Sequence, residues 1–381
     1  MTYRFTTSIL SLAFFTFLFS SSVLKAAVFI TPKAPAINVD SYILIDFDSQ
    51  KVIASKNPDK AHAPASLTKV MTAYVVFQLI KDGRVSLNDD VLISEKAWKT
   101  MGSKSFVEVG KTIKLETLLQ GLIIQSGNDA AVALAEHIAG TEGTFTAYMN
   151  EYARELGMNN TIFENASGLD TKNQQTSARD MSILASSVIR DFPEYYKWYS
   201  QKTFTYNDIK QNNRNKLLWS DKTVDGLKTG YTDKAKYNLV ASAKRLNDMR
   251  LISVVLGSSS PDARANETQQ LLDYGFRFFE TIKIDNIVKS VPLLKGEKDS
   301  LKVGTTESST ITLPRGQFKL SRQSIELNKN LSAPIKKGDR VGDLVIDHEG
   351  DRVATFPLIA LEDIAQSGFF SRSIDSLKSF F

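Results

Sequence analysis

Ser66-Leu67-Thr68-Lys69 comes just after Pro64, at the head of an apolar stretch. On a helix, a spacing of three puts the serine and lysine side chains on one face, within contact distance. A serine hydroxyl is a poor nucleophile until a base takes its proton. A lysine becomes that base when burial and nearby positive charge depress its pKa toward neutrality, and the positive end of a helix works in the same direction. Alone, S-x-x-K is a common tetrapeptide and reads as a chance surface occurrence. Two further triplets bear on it. Ser126-Gly127-Asn128 falls in a polar break between apolar segments; alone it reads as a helix cap or turn. Lys228-Thr229-Gly230 precedes a strand-like run; alone it reads as an exposed strand end. Thiol chemistry, disulfides and Cys-based zinc are excluded, because the 381 residues contain no cysteine. The three histidines, His62, His137 and His348, are scattered, without metal-ligand spacing or an evident Ser-His-Asp triad. Oxygen and lysine remain to do the chemistry, and no cofactor is implied.

The elements that must hold these groups follow from patterning. Ser41–Phe47 reads as a strand, Asp48-Ser49-Gln50 as a turn and Lys51–Ala54 as the returning strand. Ala65–Ile80 is apolar nearly all round, the mark of a helix buried at the centre of a domain. Leu115–Gln125 and Asp129–Ile138 read as two helices flanking the Ser126 break. Tyr237–Lys244 and Arg250–Leu256 alternate like strands about a turn at 246–248, and Glu267–Glu280 reads as a closing helix. Strands at both chain ends of this region, with helices between, imply an α+β fold in which helices flank an antiparallel sheet. From about Thr281 the texture becomes short and β-rich, in Ser300–Val303, Thr310–Leu313, Ser324–Leu327 and Val341–Asp347. A small all-β domain over 281–366 is expected to follow a catalytic domain over 27–280.

The ends of the chain carry membrane signals. The first 27 residues combine Arg4, an apolar run from Ile9 to Leu24 and small residues at Ala26 and Ala27, the pattern of a secretory signal cleaved after residue 26. The run is shorter than the roughly 20 residues that span a bilayer. In 367–381, Phe369, Phe370, Ile374, Leu377, Phe380 and Phe381 fall within an arc of roughly 140° at helical spacing, opposite Arg372, Asp375 and Lys378. This pattern predicts an interfacial helix on the membrane surface; the alternative is a last helix docked on the protein's own core. Hydrophobic content of 42% and charged content of 23% exclude wholesale disorder. Removing the first segment lowers the net charge from +5 to about +3, too mild for a nucleic-acid binder.

Together and in this order, the three motifs match the signature of penicillin-binding proteins and serine β-lactamases. The stretch from about Ser41 to Glu280, including PASLTKVMTAY, LIIQSGNDAAVALAEHIAG, NASGLD and DGLKTGYTDKAKYNLVASA, resembles the low-molecular-mass D-alanyl-D-alanine carboxypeptidases. The β-rich tail and terminal amphipathic helix resemble that family's architecture too. The resemblance implies Ser66 as acylated nucleophile, Lys69 as its base, Ser126 as proton relay toward the leaving D-alanine and Asn128 as holder of the substrate amide. It implies Lys228 and Thr229 as receivers of the terminal carboxylate, with Gly230 completing their motif. The backbone N–H groups of Ser66 and Tyr231 would form the oxyanion hole. Arg214 stands where relatives carry a basic residue near that carboxylate, though it also reads as a solvated loop arginine. Peptidoglycan stem peptides and β-lactam antibiotics are the implied partners.

Two positions depart from the family pattern. Tyr231 replaces a frequent His, and Lys236 a usual Gly whose role is a tight turn or close approach. Other readings are a class A β-lactamase, an endopeptidase and a non-catalytic wall binder. No Leu-Asn pair has the glutamate of the E-x-x-L-N setting that drives β-lactamase deacylation. Endopeptidase relatives tend to lack the tail domain and anchor, and a degenerate binder need not keep every motif residue.

Overall fold

Strands Ser41–Asp46 and Met249–Ser258 lie far apart in the chain and pair antiparallel, Ser41 opposite Leu256 and Asp46 opposite Leu251. The computed structural model describes residues 31–245, 248–284, 288–305 and 309–368. Residues 1–26 and, apart from Ser367 and Gly368, the expected terminal helix lie outside the described residues. Among the described residues no helix is long and apolar enough to cross a membrane.

The central pair sits inside a five-stranded antiparallel sheet. Its order is Val52–Lys56, Ser41–Asp46, Met249–Ser258, Lys236–Arg245 and Val224–Thr232. The unbroken apolar run in Ser41–Asp46 reflects burial on both faces. Ile43 and Ile45 enter one core with the helix Thr68–Lys81, while Tyr42 and Leu44 enter a second with the helix Pro261–Phe278. Thr68–Lys81 is buried at every position from Thr68 to Phe77 and again at Leu79. Full burial of each large apolar side chain contributes about 1.5–3 kcal/mol, so this helix is a fixed frame for whatever its first turn carries.

Several boundaries differ from the sequence reading. Ser66 lies in a short 3-10 turn, Ala65–Leu67, ahead of the α-helix. The segment read as one helix over Leu115–Gln125 is α-helical through Gln120 and then a π-helical turn, Gly121–Gln125, which ends at Ser126 in the left-handed region. The closing helix starts earlier, at Pro261 after the cap Ser260, and stops at Phe278. Phe279–Lys283 is already a strand, paired with Thr310–Pro314, so the β-rich part begins two residues before Thr281.

That β-rich part is the expected all-β unit. Its five-stranded antiparallel sheet runs Lys289–Pro292, Ser300–Thr305, Asp351–Ala360, Arg340–His348 and Arg322–Leu327, around a core that includes Leu301, Val303, Leu344, Ile346 and Leu358. Polar contacts join it to the first sheet. Thr281 Oγ1 donates to Asp46 Oδ2 at 2.5 Å, and the Ser49 and Thr312 hydroxyls lie 2.6 Å apart. Lys236 closes the turn before its strand, opposite Thr232, with φ +54°. A side chain in that region costs roughly 1–2 kcal/mol, which a glycine would avoid. Lys236 therefore keeps the tight turn at a strain cost; its side chain is exposed and does not line the main cleft.

Candidate active site

The nucleophile turn is held by close packing around a strained residue. Ala65, fully buried, adopts φ +48° immediately before Ser66. Gly168 presses on it so closely that a Cβ there would lie 1.8 Å from Ala65 O, at φ +86°. From the other side comes Gly230, where a Cβ would approach Pro64 O at 3.1 Å and Ala65 Cβ at 3.3 Å. Strain of this kind persists only where surrounding structure over-determines it, and two glycines allow that approach here.

Beneath the turn lies Lys69, 1% exposed. Its Nζ donates to Ser66 Oγ at 3.1 Å, to Asn128 Oδ1 at 2.7 Å and to the carbonyl of Ser167. Burial first, and the nearby Arg214 charge second, bring the Lys69 pKa down to about 7, against an opposing pull from Asp129. Lys228, 3% exposed, donates to Thr229 O at 3.1 Å. Its pKa too is pushed well down, by burial and then by Lys69, Arg214 and Arg264. Charge on Lys69 thus disfavours charge on Lys228.

Ser66, Ser126, Asn128, Arg214, Thr229, Gly230 and Tyr231 all line one cleft of about 650 Å³. Lys69 and Lys228 lie behind its wall. Ser126, at φ +71°, holds a buried hydroxyl with no hydrogen-bond partner among the described residues. A buried unpartnered hydroxyl is costly, so it is available to a bound group or proton. Asn128 is already engaged within the protein. Its Oδ1 accepts from Lys69 and its Nδ2 donates to Met101 O at 2.6 Å, so the amide braces the lysine before any ligand arrives. Arg214 is exposed on its loop, yet it lines the cleft and donates to Ser103 Oγ.

A family model described as D-alanyl-D-alanine carboxypeptidase matches residues 29–260, and one described as penicillin-binding protein 5, C-terminal domain, matches 276–366. The chain belongs to the D-alanyl-D-alanine carboxypeptidase family. It is 43% identical to the D-alanyl-D-alanine carboxypeptidase DacC of Escherichia coli, over 95% of this chain and 92% of that protein. It is 44% identical to DacA of Haemophilus influenzae, over 91% and 90%. The crystal structure of penicillin-binding protein 5 from Haemophilus influenzae aligns with a TM-score of 0.84 at 43% identity, covering 88% of this chain and all of that one.

Three cleft residues of this carboxypeptidase-family chain, Arg264, Ser103 and Trp219, were not among the site residues read from the sequence. Arg264, on the helix Pro261–Phe278, lines the cleft although only 5% exposed. Its Nη1 donates to Asn238 O at 3.3 Å, while its Nε has no partner among the described residues. Burial lowers its pKa to about 10. In PDARANET it precedes the helix read from Glu267 and carries no motif, and only tertiary packing turns it inward. Ser103 and Trp219 line the cleft as well and carry no local signal.

Proposed function

We propose that the chain removes the terminal D-alanine from peptidoglycan pentapeptides through an acyl-enzyme on Ser66. The observation that carries this is the fully buried Lys69, held near neutral pKa and in hydrogen-bond contact with a serine that opens into the cleft. With Lys69 neutral, Ser66 Oγ gives it its proton and attacks the carbonyl between the last two residues. The N–H groups of Ser66 and Tyr231 take the developing oxyanion. Ser126 passes a proton to the departing amine. Thr229, with Lys228 behind it and Arg214 and Arg264 lining the same cleft, receives the free carboxylate, which a wall of arginines and a hydroxyl suits. Asn128 orients Lys69 and keeps a second N–H and a second lone pair with which to hold the substrate amide. Water then releases the acyl group.

Benzylpenicillin, whose amide and carboxylate mimic the peptide, should form a covalent adduct at Ser66 that persists for minutes or longer in mass spectrometry. Rapid turnover with no trappable adduct would favour a β-lactamase instead.

Acylation should also report the Lys69 pKa. The base works only when neutral, so the acylation rate should rise with pH through about 7 and level off above it. Arg214→Ala removes a cation that disfavours protonated Lys69, so the midpoint should move to higher pH. A pH profile with an unmoved midpoint would take Arg214 out of this role.

We further infer that the protein works outside the cytoplasm, at the periplasmic face of the cytoplasmic membrane, held there by 367–381. Six large apolar side chains on one helical arc support this, since even partial burial of each contributes to interfacial affinity. Deleting that segment should move the enzyme from the membrane to the soluble fraction with turnover on a soluble pentapeptide unchanged. High salt alone should not release the full-length protein. Loss of activity on truncation would instead mean that the helix docks on the protein itself.

A further inference from the structure

Val224–Thr232 is the edge strand of the main sheet, and its side chains alternate in direction. Gly230 packs against the nucleophile turn and lines the cleft together with Thr229 and Tyr231. The Tyr231 ring stacks on Tyr237 with centroids 4.4 Å apart and 29° between planes, and its hydroxyl donates to Asp233 Oδ1 at 2.7 Å. One ring face and the hydroxyl are thereby fixed, yet the residue remains 48% exposed. Beside it, Thr232 Oγ1 donates to Asp170 Oδ1 at 2.9 Å, tying the strand end to the loop that presents Leu169 to the same cleft. Leu169 is exposed as well.

Direction along the strand gives this wall a role, on the reading of the site proposed above. The terminal carboxylate meets Thr229 and the attacked carbonyl meets the Tyr231 N–H. The acyl part of the substrate then runs on toward Thr232. An extended chain advances about 3.3 Å per residue, so the group next to the attacked carbonyl lies over the Tyr231 ring.

We propose that Tyr231 and Tyr237, with Leu169, form an acyl-side subsite that selects substrates bearing a flat or extended apolar group beside the acylated carbonyl. The ring is preorganised by its stack and its hydroxyl bond, so little ordering is required when a ligand group covers its open face. A Tyr at this position, in place of a frequent His, would set this chain's preference among acyl donors.

The test is a ratio of second-order acylation rates at Ser66 for two penicillins. One is benzylpenicillin; the other is 6-acetamidopenicillanic acid, which lacks only the phenyl ring. A ratio removes losses that both ligands share through the backbone of this strand. In wild type the ratio should favour the aromatic ligand, and Tyr231→Ala should lower it about tenfold, the order expected for one aromatic contact. Tyr231→Phe should keep it within about twofold, because the ring face and not the hydroxyl makes the contact. Should Tyr231→Ala fail to fold, Tyr231→Thr, which suits a strand, should show the same fall. An unchanged ratio in the folded variant, or an equal fall in Tyr231→Phe, overturns the subsite and leaves the acyl-enzyme reading standing. Absence of any Ser66 adduct with either ligand in wild type overturns both.

Discussion

Ser66→Ala abolishes D-alanine release while the protein stays folded: that is the largest single effect expected of this site. Loss of the nucleophile from catalytic residues that act as a unit costs on the order of 10⁶ in kcat. The fold should tolerate the change. Ser66 is only partly buried at the cleft, and the strained turn before it is set by Ala65, Gly168 and Gly230, none of which is altered. Lys69 keeps Asn128 and the Ser167 carbonyl as partners when the hydroxyl is gone, so no buried cation is stranded. The measurement is D-alanine release from a pentapeptide, with a thermal melt of the same preparation. Residual activity within tenfold of wild type would remove Ser66 as the nucleophile.

What the sequence disclosed here, and what it withheld, follows from the range of the interactions involved. S-x-x-K was legible because a three-residue spacing is a local fact of helix geometry, and the apolar run after it announced a buried helix. The order of the three motifs was legible for the same reason; each is a short run of residue types with a local element beside it. The strand at Ser41–Asp46 was legible from its local apolar run, but its burial on both faces was not read from it. Long-range facts were not. Asn128 braces Lys69 because the segment at 128 crosses the start of the helix at 69, and no triplet announces that. Arg264 turns inward because its helix packs on the sheet at Met249–Ser258 and Lys236–Arg245. The π-helical turn Gly121–Gln125 hides inside an apolar pattern that fits an α-helix equally well. At Phe279 the chain leaves helix for strand without a Gly or Pro to mark it, because pairing with Thr310–Pro314 decides the matter from 30 residues away. The family resemblance implied Lys228 and Thr229 together as receivers of the carboxylate; it did not disclose that Thr229 lines the cleft while Lys228 lies buried behind it, which strand alternation decides.

That placement separates two substitutions that look alike. Lys69→Arg should lose acylation by roughly 10²–10⁴-fold, the range associated with a general base, because a guanidinium cannot give up its proton at working pH. It would also set a permanent cation beside Lys228. Lys228→Arg acts in the opposite sense. It leaves Lys69 and its contacts with Ser66, Asn128 and the Ser167 carbonyl in place, so the base is kept. The cost of Lys228→Arg is one of volume, since a larger group enters a buried site and overpacking typically costs about 1–3 kcal/mol. We therefore expect Lys228→Arg to melt at a lower temperature yet retain partial acylation by benzylpenicillin, and Lys69→Arg to remain unacylated at every pH between 6 and 9. Stopped-flow acylation of the two variants, each with its melting curve, decides the matter. Normal acylation by Lys69→Arg would show that the base is another group, with Lys228 the nearest candidate by burial and charge.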